Sequence, residues 1–137
     1  MNTPVYDFLI QYAERDPVRL HMPGHKGRFG APALQRATTL DLTEITGADS
    51  LFEAEGILAE SERNAASLYG TAYTFYSCGG STLCIQTMLL LMKQQGRAVL
   101  AARNVHRAFL NTCVLLDLPV QWIYPRESDG ILSGTYD

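Results

Sequence analysis

Two glycines and two hydroxyl residues, Gly79-Gly80-Ser81-Thr82, stand between an aromatic β-prone run and an apolar helical run. Glycine lets a backbone turn tightly and come close to a ligand. A helix starting there presents N–H groups without partners and the positive end of its dipole. The hydroxyls of Ser81 and Thr82 add donors. These are the parts of a phosphate cup, with Gly80, Ser81 and Thr82 as its binding residues. Further along, Arg103-Asn104-Val105-His106 follows the short apolar run 98–102. A histidine just past the carboxyl end of a strand can lie beside whatever the cup holds. The pattern fits a phosphorylated ligand that carries a ring. Neither Gly-x-Gly-x-x-Gly nor Gly-x-x-x-x-Gly-Lys occurs, which argues against dinucleotide and Walker-type loops. The local pattern alone leaves two plainer readings open: a simple strand-to-helix turn, and a solvated histidine at a helix start.

The elements that would position these residues follow from periodicity and punctuation. A first helix is predicted over 4–14, with Thr3 as N-cap, Pro4 at the first helical position and Val5, Phe8, Leu9 and Tyr12 on one stripe. Asp16-Pro17 ends it. Residues 19–30, rich in Gly, His and Pro, read as an ordered loop or extended arm. A short helix over 31–37 and irregular chain over 41–50 follow. A helix over 56–69 closes on Gly70. Then come a strand over 72–77, a helix over 81–95 whose apolar residues nearly encircle it, and Gly96 as its cap. A strand over 97–102, a helix over 106–116 and a strand over 120–124 complete the pattern. Strand–helix alternation argues for parallel pairing. The alternation stops early, and residues 130–137 trail off without a closing helix, so the chain reads as the front part of a larger α/β domain.

Composition is that of a soluble globular protein: 137 residues, 47% hydrophobic, 18% charged, net charge −3. No basic cluster stands out, which argues against nucleic acid or an anionic membrane as partner. No signal peptide or membrane span is evident. Cys78, Cys84 and Cys113 lack metal-ligand spacing, so no metal is expected. An odd count of cysteines fits a reducing cytoplasm and unpaired thiols, most simply small buried hydrophobes.

The segment Leu20-His21-Met22-Pro23-Gly24-His25-Lys26-Gly27 resembles the signature near the start of the Orn/Lys/Arg decarboxylase family. Asp41-Leu42-Thr43-Glu44, Gly47-Ala48-Asp49-Ser50-Leu51, Ala59-Glu60 and the Ala65-Ala66…Tyr69-Gly70 helix end follow in that family's order. So do Ser77-Cys78-Gly79-Gly80-Ser81-Thr82, similar to its phosphate loop, and the Arg-Asn-x-His motif ending at His106. The resemblance covers essentially the whole chain. It implies an α/β fold: a partial three-layer sheet of mostly parallel strands, the N-terminal part of the large domain of an aspartate-aminotransferase-like (fold type I) pyridoxal-phosphate enzyme. Residues 1–50 would be a helical and extended arm, and residues 51–137 the first, incomplete part of the cofactor-binding domain.

The resemblance further implies that Gly80, Ser81 and Thr82 hold the phosphate of pyridoxal 5'-phosphate and that His106 stacks on its ring as the catalytic residue of this segment. Offset stacking of that kind contributes roughly 0.5–1.5 kcal/mol. His21, His25 and Lys26 would lie near the active-site entrance or a dimer interface. The implied activity is decarboxylation of arginine, lysine or ornithine in the cytoplasm, by a homodimer or higher homo-oligomer, giving a polyamine or its precursor. The family's lysine that carries the cofactor covalently stands in a Ser-x-His-Lys context, and an aspartate pairs with the pyridine nitrogen. The two lysines here, Lys26 and Lys93, have other contexts, and no aspartate fits. The isolated chain is therefore expected to be inactive. Two alternatives remain: another enzyme of that fold, such as an aminotransferase, or a non-catalytic binding module that keeps the cup. A reading frame continuing past Asp137 into Ser-x-His-Lys would separate the enzyme from the module.

Overall fold

The computed structural model describes residues 2–125. The chain divides into two compact units, Met1–Tyr76 and Ser77–Asp137. Residues 51–76, which the family resemblance groups with the large domain, belong to the first unit.

The first unit holds α1 (Pro4–Glu14), α2 (Pro32–Thr39) and α3 (Ile57–Tyr69). Pro4 sits at the start of α1, where its missing N–H costs nothing. Thr3 occupies the N-cap position, but its hydroxyl donates to Asp7 Oδ1 at 3.0 Å instead of capping a backbone N–H. Helix α2 runs to Thr39, beyond the predicted 37, and the hydroxyls of Thr38 and Thr39 bond back to carbonyls of the preceding turn. Helix α3 ends at Gly70 in the left-handed conformation, φ 65°, as glycine allows. Helices α1 and α3 lie together. Their join is tied by Asn2, whose amide donates to Glu60 and whose carbonyl accepts from Asn64.

The second unit holds α4 (Gly80–Gln94), β1 (Val99–Ala102), α5 (Arg107–Leu115) and β2 (Val120–Ile123). The strands pair in parallel, Val99 opposite Val120 and Ala102 opposite Ile123. The core is Leu89 of α4, Cys113 of α5 and Leu118, with Ile85, Val99, Phe109 and Val120 against it. Leu89 is only 1% exposed. Both helices thus cover the sheet face that carries Val99 and Val120. Leu100, on the other face, is exposed.

Four expectations are corrected. Residues 72–77 form no strand: among the described residues nothing pairs with their backbone in a ladder. Glu62 of α3 takes the N–H of Tyr76 and Ser61 takes its hydroxyl, while Tyr73 and Phe75 stack on each other in solvent. The described sheet accordingly has two strands with helices on one face, not three layers. Helix α4 is not buried on most sides, since Leu83, Met88, Leu90 and Leu91 are exposed and only Leu89 is fully buried, with Ile85 beside it half-buried. Cys78 and Cys84 are exposed too, one before α4 and one on its uncovered side; Cys113 alone is buried. The trailing segment 130–137 lies outside the described residues. No helix among the described residues is long and apolar enough to cross a membrane.

Candidate functional site

Helix α4 opens on a shaped turn. The Gly79 N–H donates to Ser77 Oγ at 3.1 Å, which folds the loop over. Gly80 then takes φ 65°, a conformation that costs other residues energy. A Cβ at Gly79 would stand 2.5 Å from Leu83 Cδ2, so this turn also needs glycine for space. The first-turn amides of Gly80, Ser81 and Thr82 have no acceptor among the described residues, and neither Ser81 nor Thr82 spends its hydroxyl there. All three residues are exposed, so the cup is an open helix start rather than a closed cavity.

His106 is the N-cap of α5. Its Nδ1 accepts the Ala108 N–H at 3.1 Å, which places the proton of the neutral ring on Nε2. The ring is therefore oriented by the helix it starts. Pro119, Ala98, Gly96 and Lys93 line one cleft, which collects the carboxyl ends of α4 and α5 at the amino ends of the strands. The Lys93 ammonium donates to the Leu116 carbonyl at that same end. Both helix starts, Gly80–Thr82 and His106, consequently stand at the carboxyl edge of the sheet.

The arm residues of the first unit form a separate network. His21 bonds to the Tyr12 hydroxyl through Nε2 at 2.7 Å and to its neighbour's carbonyl through Nδ1. Lys26 donates to the His21 carbonyl. His25 accepts the Gly27 N–H on Nδ1 and bonds Asp41 through Nε2 at 3.1 Å. Every ring nitrogen of the two arm histidines is thus engaged in holding the arm's own shape.

Three residues in these networks carry more than their sequence context indicated. Arg19, 9% exposed, stacks on Tyr12 and donates to the carbonyls of Thr39 and Asp41. Gly27, φ 74°, leaves room for it; a Cβ there would lie 2.5 Å from Arg19 Cζ. Asp49 accepts the N–H groups of Ser50, Glu55, Gly56 and Leu58, and so caps α3 from a distance. Partial burial pushes its carboxyl up, but those four donors outweigh it and hold the pKa down at about 2. Arg103 lies over the rings of Trp122 and Tyr124. The glycine at 27 was the available signal for Arg19; the capping role of Asp49 has no such signal, since three of its four partners are six to nine residues away. Among the described residues no group of three His, Cys, Asp or Glu could hold a metal ion.

A parallel βαβ unit whose helices start at the carboxyl edge is the class of α/β fold that takes ligands at that edge. Comparison with known proteins narrows the class to a family. The family model described as Orn/Lys/Arg decarboxylase, major domain, matches residues 3–136. The chain belongs to the Orn/Lys/Arg decarboxylase family. It is 32% identical over 136 residues to an arginine decarboxylase of Halalkalibacterium halodurans, covering 95% of this chain and 28% of that protein. An inducible ornithine decarboxylase of Lactobacillus sp. is 25% identical, covering 98% of this chain and 20% of that protein. Lysine decarboxylase LdcA of Pseudomonas aeruginosa is 23% identical over 94% and 19%. The chain thus spans less than a third of the length of these relatives.

Proposed function

We propose that this chain is the N-terminal segment of a decarboxylase of basic amino acids, carrying the phosphate cup and ring-stacking histidine of its pyridoxal 5'-phosphate site. One observation carries the reading. Amides and hydroxyls at Gly80, Ser81 and Thr82 that have no partner among the described residues stand at the same sheet edge as His106. A phosphate monoester needs such donors, and the positive end of α4 favours its charge. A flat neutral imidazole with Nε2 protonated suits the face of a pyridine ring. The fold assignment within this reading is that of the fold type I large domain, with residues 1–50 as its arm.

Pyridoxal 5'-phosphate held at this edge would supply an electron sink for loss of a substrate carboxylate as CO₂. The work of this chain is to hold and orient. The amides of α4 fix the phosphate, and the Ser81 and Thr82 hydroxyls add two donors. The Ala108 N–H orients the His106 ring, which would exclude water from one face of a bound cofactor. Lys26 and Lys93 are both engaged with backbone carbonyls, so neither is placed to carry the cofactor covalently. That group, the aspartate for the pyridine nitrogen and the residues selecting the substrate belong to the remainder of the enzyme and to a partner subunit. Relatives named arginine decarboxylase make arginine the first substrate to assay.

The test is pyridoxal phosphate binding by the 137-residue chain, followed by absorbance, with CO₂ release from arginine, lysine and ornithine measured in parallel. Weak binding that falls in a Ser81→Ala/Thr82→Ala double variant, without turnover, is expected. Binding indifferent to those residues, or turnover abolished by His106→Ala, would overturn the reading.

A further inference from the structure

Among the described residues two arginines lie over aromatic rings, and their surroundings differ. Arg19 is buried and spends its N–H groups on the Thr39 and Asp41 carbonyls, so it pins the arm. Arg103 is exposed, with Cζ 5.2 Å from the Trp122 ring centroid and 5.9 Å from that of Tyr124. Among the described residues its guanidinium has no acceptor and no carboxylate partner. The platform beneath it is itself held, since Trp122 meets Phe109 edge-on, with centroids 6.3 Å apart.

Trp122 lies on β2, Tyr124 directly follows that strand and Arg103 directly follows β1, so the stack sits at the carboxyl edge. Trp122 pairs in register with Ala101, two residues before Arg103. Trp122 shares with Val120 the sheet face that α4 and α5 cover, and Arg103, in the turn after β1, lies over its ring. Lys93 is occupied at the opposite edge. Arg107 shares the carboxyl edge but lies over no ring among the described residues. A guanidinium over aromatic rings keeps its N–H groups for a planar acceptor.

We propose that Arg103, laid over Trp122 and Tyr124, is an anchor for an oxoanion at the carboxyl edge of the sheet, beside the His106 turn. The ligand class is a phosphate monoester or a carboxylate. Either meets the guanidinium fork with two parallel charge-assisted hydrogen bonds. The inference deepens the cofactor reading and rests on it for the role of that edge. Its test uses no cofactor, so the two fail separately.

Trp122 is the sole tryptophan, so its emission reports the stack directly. The 137-residue chain is titrated with inorganic phosphate and with acetate, chloride balancing the ionic strength. A saturable change with at least one of the two is expected. Arg103→Gln should weaken it by about fivefold or more, as loss of the paired contact requires. Arg103→Lys keeps the charge but not the fork and should weaken it nearly as much. Tyr124→Leu removes one ring and should have a smaller effect of the same sign. A phosphate response that also falls in Ser81→Ala/Thr82→Ala assigns the anion to the cup's phosphate. An acetate response unmoved by that change assigns it to a carboxylate. Emission that follows ionic strength alike for all three salts would overturn the proposal, as would an unchanged response in Arg103→Gln. Should Arg103→Gln not fold by circular dichroism, parental affinity in both Arg103→Lys and Tyr124→Leu overturns it instead.

Discussion

Gly27→Ala should be the most damaging single-methyl change in the first unit. Gly27 has φ 74°, and an added Cβ would stand 2.5 Å from Arg19 Cζ, 2.6 Å from Nη1 and 2.9 Å from Nε. The left-handed conformation costs an alanine about 1–2 kcal/mol. The guanidinium must then move. Its firm bond is Nη2 to the Thr39 carbonyl at 2.6 Å, whereas the 3.4 Å contact to Asp41 is too long to add much. Losing a hydrogen bond from a charged donor costs about 1.5–3 kcal/mol. Losing the stack on Tyr12, 5.2 Å away, adds about 0.5–1 kcal/mol. The whole effect is about 3–6 kcal/mol, much of the roughly 5–15 kcal/mol that holds a domain folded.

The assay is urea unfolding followed by far-ultraviolet circular dichroism and by amide exchange in α1 and α2, because the sole tryptophan lies in the other unit. Gly24→Ala is the control: its Cβ meets nothing within 4 Å and its φ is not positive. It should change stability by less than about 0.5 kcal/mol. In an Arg19→Ala background the clash is gone, and Gly27→Ala should cost only its conformational share, about 1–2 kcal/mol. Equal costs in both backgrounds would refute the reasoning, because the methyl would then not be acting through Arg19.

Gly80→Ala meets no atom within 4 Å but must adopt φ 65°; it should lose about 1–2 kcal/mol in Trp122-detected unfolding, and Gly80→Asn less. Cys78 and Cys84 should react with a maleimide in the native chain while Cys113 waits for unfolding, because it is buried and burial pushes its thiol pKa up; mass spectrometry of the labelled peptides decides. The four N–H donors hold the Asp49 carboxyl down at about 2, below the ordinary aspartate value of 3.8. Its contribution is thus complete above about 3.8 and fades as pH falls toward 2. Asp49→Asn should be less stable than the parent at pH 7, with the gap closing through that window. A gap that does not change with pH would rule out the carboxylate as the cause.

The helices were legible because each had local punctuation. Pro4, Gly70 and Gly96 sit where boundaries fall, and α1 has the stripe its periodicity requires. His106 as a helix start was legible for the same reason. Residues 72–77 misled, since Tyr73, Phe75 and Tyr76 have strand propensity, but a strand exists only where a neighbour takes its hydrogen bonds. The apolar girth of α4 misled likewise, because hydrophobicity states what a surface prefers and not what covers it. The roles of Arg19 and Asp49 were barely legible: Gly27 was the one hint for Arg19, and the motif around Asp49 says nothing of its hydrogen bonds. Their partners lie from one to 22 residues away, and carbonyl or N–H partners carry no side-chain signature.

The two candidate anchoring points of the second unit, the α4 start and the His106 turn, share one support. Leu89 of α4, 1% exposed, touches the cluster that Cys113, Phe109 and Val99 complete. Thr112, also 1% exposed, fastens α5 from within by donating to the Ala108 carbonyl at 2.7 Å. The Ala108 N–H in turn holds His106. The seat of the helix and the orientation of the ring are therefore one arrangement. Leu89→Ala should cost about 2–5 kcal/mol, toward the lower end if α4, exposed on its outer side, can settle into the space. The loss should be felt at both ends: amides in α4 and the Ala108 amide should exchange faster together, and Trp122 emission should shift with them. A destabilisation confined to α4, with the Ala108 amide as protected as in the parent, would show that the two anchors are supported separately.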